Sequence, residues 1–185
     1  MDSKDKILDA ALKLFIKEGF HGTSTSKIAN EAGISNGGLF HHFKTKEALI
    51  SRLYIKIKEN YRIYLLEHIE PCKTSKSKIK QFWFSCVQWT LENEDSMAFY
   101  AMFSNSPYID RLSKEEASKN FNFVFELIQE AIDDETIINV NPSLINYYMF
   151  GSVQAFINFI KDNPDKHEEH IDIAFKMFWR SVANI

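Results

Sequence analysis

Residues 23–49 read TSTSKIANEAGISNGGLFHHFKTKEAL, and this stretch decides the architecture. Ser24 or Thr25 is placed to cap a short helix that turns Ile28, Ala29 and Ala32 inward, and Gly33 closes it. Ile34 then plugs a tight turn, and Ser35 caps a second short helix running through His42. Small side chains at Ala29 and Ala32 let the two helices approach, with Ile28, Ile34 and Leu39 as the mini-core between them, as a helix-turn-helix over residues 24–43 requires. Gly37 and Gly38 make the second helix intrinsically poor, by about 1 kcal/mol each. Something other than helix propensity chose them, and bare backbone can approach a phosphate closely.

Outward from this motif the chain reads as helix throughout. A first helix is predicted from Ser3 to Glu18 on the spacing of Ile7, Leu8, Ala11, Leu12 and Phe15, ended by Gly19. Thr45 caps a long helix to about Ile69 whose apolar stripe includes Leu49, Leu53, Ile57 and Tyr61. Further helices are predicted over Ser77–Asn93, Ser96–Ser104, Ser113–Asp134, Pro142–Lys161 and Pro164–Ala183. No stretch alternates at period two, so the fold class is all-α. Five of the six glycines lie within residues 19–38 and all four prolines come later, which separates short, tightly turned helices from long ones. The expected organisation is a three-helix N-terminal domain, residues 1–46, joined by the long helix to a C-terminal bundle, residues 47–185.

Composition sets the outer bounds. At 185 residues, 45% hydrophobic and 25% charged, the chain is globular rather than disordered, collagenous or coiled coil. The formal net charge is -3, yet residues 25–58 hold six bases (Lys27, Lys44, Lys46, Arg52, Lys56, Lys58) against two acids (Glu31, Glu47), a local +4. Lys46 in the first turn after Thr45 opposes the helix dipole, unless a phosphate binds there. Cys72 and Cys86 are too few for a disulfide scaffold or a four-cysteine zinc site. With no signal-peptide block and no apolar run near ~18 residues, the expectation is a cytoplasmic protein without a membrane partner.

The same stretch resembles the DNA-binding signature of the tetracycline-repressor (TetR) family: a threonine, then Ile-Ala, Ala-Gly-Ile-Ser, Gly, an aromatic, His-Phe, Lys and Glu in order. The helix pattern across the whole chain is similar to that family too. The resemblance implies a homodimeric repressor on palindromic double-stranded operator DNA, released by a small inducer held in the larger domain. Carried over by position, Thr25, Ser35, Gly37, His42 and Lys46 would contact the DNA backbone, with Asn36, Gly38 and His41 facing bases. Ser26 and Phe40 complete the expected DNA-binding set. Phe40 stands where the family usually has Tyr, so a hydroxyl contact to phosphate is missing.

Aromatics at 14% exceed what a small core needs. Some are expected to line a pocket: Trp83, Trp89, Phe99, Phe103, Phe125 and Tyr147, with Gln88, Glu92, Glu126 and Gln129 supplying polarity. An acid among rings favours a flat, hydrophobic or aromatic, cationic effector. Tyr147, Gly151 and Ala155 at four-residue spacing, with Phe175, Phe178 and Trp179, suit a dimer face. His167 and His170 lie one helical turn apart, but the acidic company of Glu168 and Glu169 fits a solvated helix start better than a metal site. No nucleophile motif and no dinucleotide or phosphate-loop glycine pattern is present, so no catalytic residue, cofactor or metal is expected. The competing class is a helical ligand-binding or adaptor module whose N-terminal helices bind protein.

Overall fold

The computed structural model describes residues 2–108 and 121–184. Among them the helices are α1 Ser3–Gly22, α2 Thr25–Glu31, α3 Asn36–His42, α4 Lys46–Ile69, α5 Ser75–Glu92, α6 Glu94–Ser104, α7 Asn122–Asp133, α8 Pro142–Asp162 and α9 His167–Val182. A 3-10 turn, Pro164–Lys166, precedes α9, and a single antiparallel bridge pairs Ile137 with Ala183. The all-α expectation therefore holds for the described residues.

Local chemistry explains the boundaries. Gly19 takes φ 74° inside α1, so the helix kinks where a C-cap was expected and resumes for one more turn. Thr74, whose hydroxyl accepts from the Ser77 amide at 3.2 Å, starts α5 two residues before the expected Ser77. Asn141 caps α8 through the Ser143 amide at 2.9 Å, with Pro142 in the first turn, where its missing N–H costs nothing. The helix expected from Pro164 is split, a 3-10 turn taking its first three residues. Of the helix expected over Ser113–Asp134, the part before residue 121 lies outside the described residues.

Among the described residues the chain divides into two compact units, one of residues 2–60 and 93–108, the other of residues 61–92 and 121–184. In the first unit the first turns of α4 pack with the N-terminal helices, and α6 joins them.

In the first unit, Ile7, Leu8, Ala11 and Phe15 of α1 are buried with Ile28, Ala29, Leu39, Leu49 and Ile50. Phe15 meets Phe20 edge to face at 5.3 Å, and Phe20 meets Phe99 in the same way at 5.6 Å. Tyr54 stacks on Phe103 at 4.1 Å. Thr23 is fully buried, its hydroxyl within reach of the Leu14 carbonyl at 3.1 Å and the Gly19 carbonyl at 2.9 Å. This side chain anchors the end of α1, just where the chain enters α2.

The second unit centres on Trp83. Its ring is fully buried beside Phe156 and Phe175, each at 5.8 Å, and its indole N–H donates to the Ser152 hydroxyl at 2.8 Å. A buried indole needs such a partner, because an unpaired donor in that position would cost about 1–3 kcal/mol. The end of the chain is fastened by Ile138 N–H to the Val182 carbonyl, 2.8 Å, and Asn184 N–H to the Thr136 carbonyl, 3.1 Å. Asp134 accepts from the Ser75 hydroxyl and the Thr136 amide, which holds its carboxyl below the usual range.

Candidate nucleic-acid interface

The helix-turn-helix is assembled by backbone and cap hydrogen bonds. The Ser24 hydroxyl accepts from the Lys27 amide at 3.2 Å to start α2, and the Ser35 hydroxyl accepts from Gly38 at 3.1 Å to start α3. Gly33 joins them at φ 68°, a left-handed conformation that a side chain would strain, and the Ile34 amide returns to the Ala29 carbonyl at 3.0 Å. Ile28 and Leu39 are fully buried between the two helices. Across the turn, the Asn36 amide nitrogen donates to the Ser26 hydroxyl at 3.0 Å. The register of α3 on α2 is therefore fixed by core and polar contacts together.

What α3 leaves outward is unusual for a helix. Gly37 and Gly38 have helical backbone, and a Cβ at Gly37 would meet nothing nearer than the Ser35 hydroxyl at 3.9 Å. The fold itself has room for a side chain there. Phe40, His41 and His42 are exposed beside these glycines, with the two imidazoles 5.5 Å apart. Of the expected DNA-facing residues, Ser26, Ser35, Asn36, Gly37, Phe40, His41 and His42 are exposed, and Thr25, Gly38 and Lys46 are half-buried.

The local positive charge is less free than its count suggests. Lys27 pairs with Glu18 at 2.8 Å, Arg52 with Glu59 at 3.2 Å, and Lys56 with Asp5 at 2.9 Å. Lys58 is buried, and desolvation pulls its ammonium below the usual lysine range. Among the described residues no carboxylate lies within ion-pair distance of Lys44 or Lys46. These two lysines follow α3 directly, and Thr45 between them caps α4 through the Ala48 amide at 3.0 Å. The cationic edge thus lies at the end of α3, not along the whole of residues 25–58.

The residues expected to hold a ligand do not form one cluster. Phe99 and Phe103 are fully buried in the first unit, where Phe15, Phe20 and Tyr54 cover them. Trp83 is fully buried in the second unit. Gln88 and Glu92 are exposed and bonded to each other at 2.9 Å, while Phe125, Glu126 and Tyr147 are exposed on α7 and α8. Trp89 is the ring with a promising setting: it stacks on Tyr61 at 4.5 Å, Phe121 lies 5.6 Å from Tyr61, and the buried Tyr64 hydroxyl has no hydrogen-bond partner among the described residues. Burial, with Glu92 nearby, pushes the Tyr64 phenol up. Tyr61 and Tyr64 lie outside the expected ligand set, since at sequence level they belong to the core stripe of α4.

The expected dimer face is also redistributed. Phe175 and Phe178 are buried in the core of their own unit, Phe175 5.8 Å from Trp83 and Phe178 6.2 Å from Phe175. Trp179 is half-buried beneath the Lys76 ammonium, 5.2 Å from its ring centre. Tyr147, Gly151 and Ala155 instead line an apolar groove of about 570 Å³ between α8 and α9, closed below by Phe156 and Phe178. Tyr148, Phe159, Ile173 and Met177 line it as well and are absent from the expected face, although Tyr148 and Phe159 sit beside the four-residue spacing of Tyr147, Gly151 and Ala155. Tyr147 is 78% exposed and Met177 70%.

His167 and His170 stand at the start of α9, where Lys166 pairs with Glu169 at 2.9 Å. Among the described residues no three His, Cys, Asp or Glu side chains are arranged to hold a metal ion. Cys86 is fully buried and its thiol is pushed up to about 12, so it offers no thiolate at neutral pH. No described helix is long and apolar enough to cross a membrane.

Residues 7–53 match the family described as bacterial regulatory proteins, tetR family. The chain is 41% identical over 78 residues to the HTH-type transcriptional regulator QacR of Staphylococcus aureus, covering 42% of each. It is 34% identical over 94 residues to the HTH-type transcriptional regulator LmrA of Bacillus subtilis, covering 47% of this chain and 50% of that one. The matches to these relatives therefore span half of their length or less. A crystal structure from Shewanella sp. PV-4, described as a tetR-family transcription regulator, superposes with a TM-score of 0.86 at 29% identity over 99% of both chains. Another, from Marinobacter aquaeolei VT8, gives 0.85 at 21% identity over 99% of this chain and 96% of that one, and shows the fold alone.

Proposed function

We propose that this chain, whose residues 7–53 match the tetR family of bacterial regulatory proteins, is a homodimeric, sequence-specific DNA-binding repressor released by a small molecule. One observation carries the DNA reading. Helix α3 is stripped of side chains at Gly37 and Gly38 although at Gly37 its own fold has room for one, and Lys44 and Lys46, with no carboxylate in ion-pair distance among the described residues, stand at its end. A helix of this shape enters a major groove with its backbone close to the duplex, while the lysines meet phosphate. Lys46, unfavourable against the α4 dipole by itself, becomes favourable when a phosphate shares that terminus.

A second copy is the occupant proposed for the α8–α9 groove. The small residues Gly151 and Ala155 along it permit close approach, and its rim of Tyr147, Tyr148, Ile173 and Met177 is too apolar and too exposed for a free surface. Two-fold pairing would present two α3 helices to successive major grooves, centred about 34–36 Å apart on a palindromic site. The effector proposed is flat and aromatic, with a positive charge suited to Glu92. The Tyr61–Trp89 stack and the unpartnered Tyr64 hydroxyl support that choice. A ligand that prefers the wrong spacing by only about 1–3 kcal/mol weakens DNA binding five- to 150-fold.

The test is fluorescence anisotropy of the full chain against a duplex that it enriches from a random-sequence library, with a scrambled duplex beside it. A thousandfold preference for the enriched duplex supports the repressor reading. Equal weak binding to both overturns it.

A further inference from the structure

The charges of α9 are sorted along its length. Glu168, Glu169 and Asp172 occupy its first half, Lys176 and Arg180 its second, and all five are exposed. Asp172 is taken up by Lys80 of α5 at 3.7 Å, and Glu168, one turn before it, shares that side of the helix. Glu169 is held by its near neighbours, the Lys166 ammonium at 2.9 Å and the His170 ring at 3.8 Å. Among the described residues no carboxylate lies within ion-pair distance of Lys176 or Arg180.

Placement matters more than number. At about 100° per residue, Arg180 and Glu169 fall about 20° and 40° to the same side of Ile173, the exposed apolar residue on the rim of the α8–α9 groove. They therefore flank the groove along one edge, about 16 Å apart along the helix axis. The α9 residues that line the groove run from His170 to Phe178 and centre on Ala174. The midpoint of Glu169 and Arg180 falls between Ala174 and Phe175, so an acid and a base stand at nearly equal distances from the centre of the groove.

We propose that the second copy seats its α9 antiparallel on this α9, with Glu169 of each protomer paired to the partner's Arg180, and that these two ion pairs set the register and the choice of partner. This inference rests on the dimer reading above. A two-fold interface is self-complementary, so a residue that meets another across it is met in return. An axis crossing α9 at the centre of the groove exchanges Glu169 with Arg180 and makes the contact twice. A parallel pair would set Glu169 against the partner's Glu169 and Arg180 against the partner's Arg180, which repel. Seating α9 on the partner's α8 gives Arg180 no acid, because α8 carries none before Asp162, at the end where Phe159 meets His170. Charges on the rim of an apolar patch suit this task, since they discriminate between partners and registers while the apolar residues supply the burial.

The experiment makes Glu169→Arg and Arg180→Glu separately in the full chain. Each is followed by sedimentation equilibrium alone, then mixed with the other in equal amounts. Alone, either variant places like charges at both contacts, and its dimer dissociation constant rises by about tenfold or more. The mixture restores opposite charges at both contacts and recovers dimers to within about threefold of the parent, a fluorophore on one variant showing that they are mixed dimers. Recovery on mixing is a readout that misfolding of either variant would not give, and circular dichroism melts check each alone. Single variants that dimerise as the parent does, or a mixture that recovers no mixed dimer, overturn the pairing and leave the dimer reading standing. A monomeric parent defeats the dimer reading and this inference with it.

Discussion

The side-chain amide nitrogen of Asn36 lies 3.0 Å from the Ser26 hydroxyl, joining the first turn of α3 to the first turn of α2. A single exposed neutral hydrogen bond of this kind contributes about 0.5–1 kcal/mol. Its larger effect is orientational. Ser26→Ala frees the Asn36 amide to turn toward bases, so thermal stability should fall slightly while the ranking of mutated duplexes changes. Competition binding against a panel of single-base variants reads that change, and an unaltered ranking would show that the Asn36 rotamer plays no part in reading.

Gly37→Ala separates stability from function. Its Cβ meets only the Ser35 hydroxyl at 3.9 Å, so the variant gains helix propensity of up to about 1 kcal/mol without a clash. The melting temperature should rise, while affinity for the enriched duplex drops at least tenfold because the added methyl group holds the helix off the groove. A stabilised variant with unchanged affinity would remove the close-approach role from Gly37.

Lys46→Ala should also act in opposite directions. Removing a cation from the first turn of α4 relieves about 0.3–1 kcal/mol of dipole repulsion. Affinity should decrease similarly for all duplexes, and the slope of log affinity against log salt should shrink by about one for each phosphate that the lysine no longer neutralises. A salt series on parent and variant checks this, and a change in sequence preference with no change in slope would count against a backbone role for Lys46.

Ile173→Asp tests the α8–α9 groove. The residue is 47% exposed on α9, so the substitution leaves the chain's own core intact and should alter its stability by no more than about 0.5 kcal/mol. Sedimentation should show a dimer for the parent and a folded monomer for the variant, and cooperative occupation of a palindromic duplex should disappear. A variant that sediments as a dimer would relocate the interface.

The link from Asp134 to Ser75 and Thr136 makes a pH prediction. Its carboxyl sits below the ordinary value of 3.8, chiefly because the Ser75 hydroxyl and then the Thr136 hydrogen bond favour the charged form. A depressed carboxylate stabilises the folded chain above its unfolded value and loses that contribution as pH falls through its folded value. Asp134→Asn should therefore be less stable than the parent at pH 6 and approach it below about pH 3.8, as acid-dependent urea melts would show.

The Ser35 cap, the Gly33 turn and a cap at Ser24 or Thr25, which the fold gives to Ser24, were legible in the chain because each is a local matter. A hydroxyl reaching an amide three residues on, or a residue needing positive φ, depends only on near neighbours in sequence. The outward set on α3 followed from the same short-range geometry. The Gly19 kink was half legible: the glycine marked a break, but the turn of helix beyond it is held by the Thr23 hydroxyl reaching Leu14, nine residues back.

Long-range matters were decided by tertiary structure. Spacing placed Phe99, Phe103, Phe175 and Phe178 on helices, yet an aromatic stripe has the same appearance whether it faces a core, a ligand or a second copy. Packing buried all four in their own units and left Tyr147, Tyr148, Ile173 and Met177 outside. Charge behaved alike: counting gave a basic segment, and only the fold showed that Asp5, Glu18 and Glu59 pair with three of its bases and leave Lys44 and Lys46 without a carboxylate beside them. The sequence alone determined the helices, their caps and the bare face of α3, because those depend on bonds spanning three or four residues. Which stripe is covered, and which cation is left unpaired, depends on residues far apart in the chain, and the tertiary structure had to bring them together.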